Sequence, residues 1–338
     1  MSASLALPPH QDQHLVDDLE TALLAAGSQR QNLDRKNVPS ELLGRANNTR
    51  LVWFTLVDWA WIAAFWVGMT YAPTWTYPLW VVLIAGRIHS FGVILHDAAH
   101  QSIKRKSWQI RIVEIFAGYP MASTLNAMRY HHIRHHRDSG MAADPYFKPK
   151  VAGRPLIFFL IWLRHILLVP LWMIRGPYGL LAYLIPGMRN SYARVFLQDK
   201  SGEDLTHLRE LIDCCKAELG QVVVHAGLFT FAYFRPEEAL FYYFIPAIVA
   251  ALFAGHRVLV EHNYTPVTDR RMETIMRTTV DHNMNWLGRI FLAPRNIGFH
   301  IAHHLHPQVA LENLPKLRQW YLHNHPEVYP NQRTGNGL

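Results

Sequence analysis

Three clusters of histidines have the spacing of metal ligands on helices. Within each cluster the outer histidines are four residues apart, and residues three or four apart share one face of an α-helix. The first cluster is His96 and His100, the second is His132, His135 and His136, and the third is His300, His303 and His304. Neutral imidazole is the commonest metal-ligating side chain, and it suits iron, zinc and copper. The pattern therefore predicts a metal centre to which several helices contribute imidazoles.

The number of histidines indicates more than one metal ion. His262, which follows Glu261, brings the predicted ligand set to nine, too many for one tetrahedral zinc ion. Nine imidazoles can serve two adjacent ions of higher coordination and leave a position open for oxygen. Two irons suit oxidising chemistry, so the sequence favours a di-iron centre. One ligand stays open, because the spacing also allows His131 to take the place of His132.

Residues beside the clusters are candidates to orient the ligating imidazoles. A carboxylate does so by accepting the hydrogen of the ring nitrogen that does not bind the metal. The candidates for positions around the ligands are Asp97, Asp144, Glu261 and His131. Asp144 precedes a proline, and a simple turn explains that residue equally well. Arg257 lies one helical turn before Glu261, which favours an ion pair between them. No other catalytic residue and no organic-cofactor site is expected.

Two pairs of apolar segments are candidate membrane spans that could hold these histidines in place. Trp59 to Gly86 is an uncharged run of 28 residues, longer than the roughly 20 that one crossing needs. Two prolines divide it at a short turn, which predicts spans over about 51–72 and 77–97. A second pair, about 219–234 and 239–258, flanks a charged turn at 235–238. We therefore expect an all-α integral membrane protein with four transmembrane helices in two hairpins, under a cytosolic helical cap that carries the di-iron site.

The remaining segments are expected on one side of the membrane. The stretch 156–174 is apolar but contains Arg164 and His165, so it is expected to lie in the interface, where a charged side chain is less costly. Residues 1–50 form a predicted cytosolic arm without a signal peptide, and 51–338 the membrane domain. Basic residues cluster at the base of the first hairpin and are absent from its tip. The positive-inside rule therefore places both termini and the metal site in the cytoplasm.

Composition supports a membrane protein and argues against other classes. Only 17% of the 338 residues are charged, against roughly 25% in soluble domains. The formal net charge of +8 comes without a basic stripe interleaved with aromatic residues, so no nucleic-acid partner is expected. The two cysteines are adjacent, at 214 and 215. They form no disulfide framework, which fits a reducing compartment.

The chain resembles the integral-membrane fatty acid desaturase superfamily, in particular its bacterial branch. The three histidine clusters carry the resemblance, over roughly residues 50 to 325. Further matches are Arg257 to His262, Asp144-Pro145, His304-Leu305-His306-Pro307 and Leu314-Pro315. The resemblance implies a mushroom-like fold with a di-iron centre, whose ligands are the eight cluster histidines and His262. It also implies O2 as co-substrate, hydrogen abstraction from an unactivated methylene, and desaturation of a fatty acyl chain.

The resemblance also bears on the partners. Because the sequence has no fused cytochrome b5-like domain, electrons are expected from a separate ferredoxin, rubredoxin or cytochrome b5-like protein. A basic surface formed by Lys104, Arg105, Lys106, Arg134 and Arg137 is one place where an acidic carrier could dock. For Lys104 to Lys106, anchoring at the inner membrane surface is an equally good explanation.

Three other activities share parts of this pattern. A di-iron hydroxylase or ketolase of a lipid, isoprenoid or carotenoid would use the same metal site. An intramembrane zinc protease would use the His96–His100 spacing, but Asp97 stands where such enzymes have glutamate. A metal transporter would place histidines near the middle of the bilayer rather than beyond the span ends. The substrate, the position of a double bond and the oligomeric state are not fixed by the sequence.

Overall fold

The regular secondary structure of the described part of the chain is helical. The computed structural model describes residues 37–101, 106–282, 284–326 and 329. Within these ranges there is no β-strand, and the only extended pairing is an isolated antiparallel bridge between His262 and Thr279. The all-helical fold predicted from the sequence is confirmed for this part of the chain.

Twelve helices of six residues or more follow one another in the described ranges. They are α1 (Asn48–Tyr71), α2 (Thr74–Ala99), α3 (Trp108–Val113), α4 (Leu125–Asp138), α5 (Pro155–Leu184), α6 (Arg189–Phe196), α7 (Arg209–Phe234), α8 (Pro236–Val260), α9 (Met272–Thr278), α10 (Trp286–Phe291), α11 (His300–Leu305) and α12 (Leu314–Asn324). Helix α5 tightens into a 3₁₀ turn at Arg164–Leu167, and helix α8 widens into a π turn at Leu240–Phe244.

Four of these helices are long and apolar enough to cross a bilayer, as the sequence predicted, but they are not the same four. They are α1, α2, α5 and α8. Helix α7, which contains the predicted span 219–234, is not among them, because Glu218, Gln221 and His225 interrupt its apolar part. Helix α5 is among them, although it contains the segment expected in the interface. By composition and length, α5 is therefore a candidate membrane span and α7 is not, which is the reverse of the sequence prediction.

Helix α2 is the centre of the bundle and carries the first histidine cluster at its carboxyl end. It packs along α1, α8 and α4. Its second half is almost continuously buried, with Ile84, Phe91 and Leu95 fully enclosed. A helix that is closely packed on all sides cannot rotate about its axis, because rotation would disturb the packing of every side chain against its neighbours. The imidazoles at its end are therefore held in one direction.

Helix α4, which carries the second cluster, starts at a well-defined cap. The hydroxyl of Thr124 accepts a hydrogen bond from the Ala127 amide at 3.1 Å. A carboxylate oxygen of Glu114 accepts one from the Leu125 amide at 2.9 Å. These acceptors satisfy amides that have no partner within the helix, and the negative charge suits a helix N-terminus. The side chain of Lys106 in turn pairs with Glu114 at 2.9 Å.

The segment before the third cluster is held against the membrane helices by a buried ion cluster. The carboxylate of Asp58, in α1, is fully buried and pairs with Arg87 at 3.2 Å and Arg295 at 2.7 Å. Arg87 also donates to the carbonyl of Ile290 at 2.8 Å. Because a buried carboxylate needs such partners, these contacts fix the position of the 290–296 segment. Helix α11 follows directly from it.

Candidate metal centre

The nine histidines predicted as ligands come together in two groups. The five-histidine group contains His96, His100, His132, His136 and His303, and the four-histidine group contains His135, His262, His300 and His304. Within each group, one ring nitrogen from every histidine lies within 4.8 Å of all the others. Each group could thus hold one metal ion.

Two helices contribute to both groups. From α4, His132 and His136 join the five-histidine group, and His135 joins the four-histidine group. From α11, His303 joins the first of these groups, whereas His300 and His304 join the second. His96 and His100, at the end of α2, belong to the five-histidine group, and His262 lies two residues after the last residue of α8. The two groups are therefore neighbours, separated by the width of one helical face.

The arrangement of the ring nitrogens fits metal binding better than hydrogen bonding. The Nε2 atom of His132 lies 2.9 Å from Nε2 of His100 and 2.9 Å from Nε2 of His136. The Nε2 atoms of His303 and His136 are 3.0 Å apart. A neutral imidazole has only one N–H, so each Nε2 atom is either a donor or an acceptor. Several Nε2 atoms that converge on one point therefore cannot all be paired by hydrogen bonds. Their lone pairs can, however, converge on one cation.

The four-histidine group also contains ring nitrogens that hydrogen bonds do not satisfy. Nε2 of His135 and both ring nitrogens of His304 are buried and have no hydrogen-bond partner. The Nε2 atoms of His300 and His262 are 3.1 Å apart. Buried polar atoms without partners are costly, and a metal ion in this group would satisfy Nε2 of His135 and one ring nitrogen of His304. The residues present thus fit a second ion.

Burial also keeps the imidazoles in the form that binds metals. Removal from water, and then the neighbouring ligand histidines, lower the pKa of His132, His136, His300 and His304 well below the usual histidine range. Removal from water also lowers the pKa of His100, to about 3. Neutral imidazole has a free lone pair, whereas imidazolium has none.

Asp144 contacts a ligand histidine directly. Nδ1 of His135 donates to Oδ1 of Asp144 at 2.8 Å. Asp144 also accepts hydrogen bonds from the amides of Gly140 at 3.0 Å and Tyr146 at 2.8 Å. Burial alone would raise the pKa of this carboxyl, but the interaction with His135 and these hydrogen bonds lower it to about 2. Asp144 is thus an ionised acceptor that keeps the hydrogen of His135 on Nδ1.

Glu261 and His131 lie beside the ligands with different contacts. Oε2 of Glu261 is 3.5 Å from Nδ1 of His300 and 3.2 Å from Arg257. Burial raises the pKa of Glu261 to about 7, although Arg257 opposes the shift. His131 joins neither group in the described part of the chain, and its Nδ1 instead lies 2.6 Å from the hydroxyl of Tyr146. The geometry thus places His132, not His131, among the converging imidazoles.

Asp97 turns away from both groups. It lines a cavity of about 180 Å³ together with Arg50, Arg295 and Glu312, and it accepts a hydrogen bond from the Leu311 amide. In a helix, the residue after His96 is rotated by about 100° from it, so its carboxylate points to another side of α2. The expectation that Asp97 orients a ligand histidine finds no contact in the described structure.

The structure also shows supporting residues that sequence reasoning missed. One is Asp281, whose Oδ1 accepts a hydrogen bond from the Ile301 amide at 2.7 Å at the start of α11. Its Oδ2 accepts from Arg318 at 3.0 Å and from the Tyr329 hydroxyl at 2.6 Å. Asp281 is a single acidic residue in a loop, 19 positions before His300, and no motif marks it.

A second missed residue joins two histidine clusters. Arg129, in α4, is buried and donates to the carbonyls of Ala99 at 2.8 Å and Gln101 at 3.0 Å. These carbonyls lie on either side of His100 at the end of α2. In the sequence, Arg129 is marked only by its place on the same helix as the second cluster. That place does not distinguish a buried arginine from one on the surface.

Comparisons with known proteins agree with this site. The sequence model of the family described as "Fatty acid desaturase" matches residues 72–336, a range that includes all nine histidines. The chain is also similar to a dihydrorhizobitoxine desaturase from Bradyrhizobium elkanii. The two are 24% identical over 293 residues, which cover 84% of this chain and 76% of the relative.

Proposed function

This chain belongs to the fatty acid desaturase family, and from this premise we propose that it is a membrane di-iron oxidoreductase that desaturates a fatty acyl chain. The observation that carries the proposal is the meeting of nine buried or half-buried histidines in two adjacent groups. Family membership itself supports an oxidoreductase acting on a lipid at a membrane. The use of iron and O2 and the acyl substrate are the parts that we propose.

In this proposal, one iron binds to the five-histidine group and the other to the four-histidine group. The bound iron pair supplies the activation of O2 and the oxidising power needed to remove hydrogen from an unactivated carbon. The protein's own residues hold the ligands and exclude water. Asp144 keeps the hydrogen of His135 on Nδ1, so that the Nε2 lone pair faces the site. Asp281 fixes the start of the helix that contributes three ligands.

The proposed reaction is balanced by two external electrons. Two neighbouring methylenes each lose one hydrogen and become a double bond, while O2, two electrons and two protons complete the formation of two water molecules. The alternative, a hydroxylase, would use one O2, two electrons and two protons but leave one oxygen atom in the product and release one water; a ketolase would repeat that step at the same carbon. The bacterial relative is named as a desaturase, which favours the first reaction.

An apolar cavity in the membrane part of the fold suits such a substrate. It has a volume of about 310 Å³ and is lined by Trp59 and Trp66 of α1, by Val224, His225, Leu228 and Phe231 of α7, and by Pro120, Tyr242 and Tyr243. A 150 Å³ cavity accommodates benzene, so this one has room for roughly twelve carbons. We propose that it holds part of the acyl chain. Helix α1 contributes two of the named walls, whereas α2 contributes none of them.

We further propose that α1, α2, the apolar part of α7, and α8 cross the membrane as two hairpins. The turns of the two pairs lie at the same end of the bundle. The rings of Tyr77 and Phe241 have centroids 5.3 Å apart, and the indole of Trp66 donates to the carbonyl of Tyr242 at 3.0 Å. The histidine groups lie at the opposite end, where α2 and α8 finish. The basic residues Arg45, Arg50 and Arg111 favour a cytoplasmic position for that end.

Helix α5 is proposed to lie along the interface in spite of its length. Near its start, Ile157 and Phe158 pack against a buried cluster that contains Tyr264, two residues after His262. Near its end, Ala182 packs in one cluster with Tyr130 of the histidine helix α4. The chain beyond α5 also returns to that side, because Tyr130 donates to Asp199 at 2.8 Å. A single crossing would put the two ends of α5 on opposite sides of the membrane.

A separate protein is proposed as electron donor, but the described basic residues do not form an unpaired patch for it. Lys106 pairs with Glu114, Arg134 with Glu210 at 2.8 Å, and Arg137 with Asp138 at 2.7 Å. Lys104 and Arg105 lie outside the described residues. Because each described cation already has a carboxylate partner, positive charge on these residues gives little support for docking an acidic carrier.

Metal and product analysis test the proposal. The purified protein, expressed aerobically with iron, is expected to contain close to two irons per chain by mass spectrometry. With a reducing system and candidate lipids, the product is expected to lose two hydrogens and to contain no oxygen from ¹⁸O-labelled O2. Incorporation of one labelled oxygen would favour the hydroxylase. One zinc ion, with no iron even after reconstitution, would contradict the di-iron mechanism.

A further inference from the structure

The turn that leads into α4 is held by side chains from three other helices. The carbonyl of Tyr119 is 3.1 Å from Nε2 of His225 in α7, and the carbonyl of Pro120 accepts from the Tyr243 hydroxyl of α8 at 2.6 Å. The carbonyl of Ala122 accepts from Nη2 of Arg175 in α5 at 2.9 Å. Irregular backbone within a membrane protein persists where other parts of the protein satisfy its polar groups.

The turn consists of a 3₁₀ turn at Tyr119–Met121 and a break in the helical backbone at Ala122. Ala122 has left-handed backbone angles, with φ 53° and ψ 38°. The Ser123 amide bonds back to the Gly118 carbonyl at 3.0 Å. Two residues after Ala122 comes Thr124, the capping residue of α4. The position of the Ala122 carbonyl therefore sets where the helix of the second histidine cluster begins.

Arg175 is itself fixed in place. It is 1% exposed, and its Nε donates to Oε1 of Glu218 at 2.8 Å. Its Nη2 also donates to the side-chain oxygen of Gln221 at 2.9 Å, and the Tyr192 hydroxyl donates to the same Glu218 oxygen at 2.6 Å. The planar guanidinium can serve these acceptors at fixed angles. The Ala122 carbonyl is thus bound by a side chain with several other anchors.

The distance from this anchor to the ligands makes small displacements matter. His132 follows Thr124 by eight residues, or about 12 Å along a helix at 1.5 Å per residue. A tilt of roughly 5° at the start of such a lever moves its far end by about 1 Å. Metal–ligand distances are held within roughly 0.2 Å. Since α4 contributes ligands to both histidine groups, a shift at its start would affect both.

We propose that Arg175 is a positioning residue for the metal centre, acting through the Ala122 carbonyl on the ligand helix α4. The inference rests on the proposed iron-binding function. A buried arginine–glutamate pair adds little net stability over an apolar pair of similar size. The effect of Arg175 is therefore expected on ligand geometry and iron affinity more than on the stability of the fold.

A matched pair of variants tests this role. Arg175→Lys keeps the positive charge beside Glu218 but cannot bond to three fixed acceptors with the geometry of a guanidinium. Arg189→Lys is the control, because Arg189 is also buried and donates to the carbonyls of Ala182 at 3.1 Å, Tyr183 at 3.1 Å and Thr206 at 2.9 Å. None of these three carbonyls belongs to the turn before α4.

Iron affinity, measured by competition with a chelator, is expected to fall about tenfold or more in R175K, as when a group supporting a ligand is lost. The iron spectrum is expected to change and kcat to fall with KM within twofold of the parent value. R189K should keep the parent iron affinity and spectrum. Unchanged iron affinity and spectrum in folded R175K, or an equal loss in R189K, would overturn the inference.

A double variant separates positioning from folding. Arg175→Met combined with Glu218→Gln removes both buried charges together while leaving an oxygen acceptor for Tyr192. Without iron, the double variant is expected to melt near the temperature of the iron-free parent, yet it is expected to bind iron at least about tenfold more weakly than the parent. Parent-like iron affinity in this variant would also contradict the inference. If the parent protein binds no iron, the proposed function itself is wrong. If the parent binds iron and the Arg175 variants bind it equally well, only the proposed role of Arg175 is wrong.

Discussion

Asp144 and His135 form a buried hydrogen bond of 2.8 Å in which the imidazole Nδ1 is the donor. The opposite ring nitrogen of His135 is buried and has no partner in the protein. The carboxylate therefore determines the tautomer of the imidazole and the direction of its free lone pair. This is the arrangement that commonly raises the basicity of a metal-ligating histidine.

Removing this carboxylate should weaken iron binding. Asp144→Ala is expected to reduce iron affinity by about 10- to 100-fold, because His135 loses the acceptor that fixes its tautomer. Asp144→Asn should have a smaller effect, since its amide oxygen can still accept. Asp138→Ala is the control, because that side chain pairs with Arg137. Competition with a chelator measures the affinity, and an Asp144→Ala protein that retains parent affinity would show that the contact does not support the metal.

Adjacent histidines in the second cluster should differ in importance. His132→Ala is expected to lower the iron content to about one per chain or less and to remove most of the activity, because its Nε2 is at the centre of the five-histidine group. His131→Ala should retain iron, since that side chain bonds to Tyr146 instead. Mass spectrometry of the purified variants measures the iron. The opposite pattern would identify His131 as the ligand.

Iron removal should destabilise the protein. Without a cation, the imidazoles of both groups are buried beside one another with unsatisfied nitrogens. A ligand present at a thousand times its Kd stabilises the folded state by about 4 kcal/mol, so a chelator is expected to lower the Tm clearly and added ferrous iron to restore it. A His136→Ala/His304→Ala variant should show little chelator-dependent change. Equal Tm values for the parent with and without chelator would contradict the prediction.

The two ends of the fold should be accessible from opposite sides of the membrane. Gly187, in the turn after α5, has open space where a Cβ atom would lie, and Trp75, in the first turn of α2, is 81% exposed. In sealed vesicles, an impermeant thiol reagent is expected to label Gly187→Cys from the cytoplasmic side and Trp75→Cys from the other. The native Cys214 and Cys215 are buried and should react slowly. Labelling of both sites from one side would contradict the interfacial placement of α5.

Filling the apolar cavity should alter chain-length preference. Val224→Trp, on the cavity wall, is expected to lower kcat/KM for long acyl chains by at least about tenfold relative to short ones, because a steric clash of a few carbons costs about 1–3 kcal/mol. Val223→Trp is the matched control, since that neighbouring side chain is 64% exposed. Product analysis with acyl chains of graded length measures the ratio. The same ratio in both variants would place the substrate elsewhere.

The nine histidines that come together could be predicted from sequence, but not their division between two groups. Spacing by three and four residues identifies a shared helical face, and this was enough to find the three clusters. Within that face, however, His135 lies about 60° from His132 around the helix axis and about 100° from His136. This offset directs His135 to a different group. Which histidines converge depends on how α4 and α11 cross, and that information is not local in the chain.

Supporting residues were harder to predict because they act over long sequence distances. Asp97 is next to a ligand in sequence, yet the helical rotation of one residue turns it toward Glu312 and Arg50. Asp281 and Arg129, by contrast, bond to backbone groups beside ligands from other elements. Helix α7 shows the same limit, since two of the polar residues that reduce its hydropathy, Glu218 and Gln221, are covered by α5, where Arg175 bonds to both. Local composition cannot anticipate that cover.

Two short helices, α4 and α11, each carry ligands for both histidine groups. Occupation of one group therefore restrains the same helices that form the other, and the first ion to bind bears more of the entropy cost of ordering them. The second ion should then bind more tightly than the first. Loading with iron is accordingly expected to be cooperative, with few singly occupied chains at intermediate iron concentrations, and loss of either ion should promote loss of its neighbour.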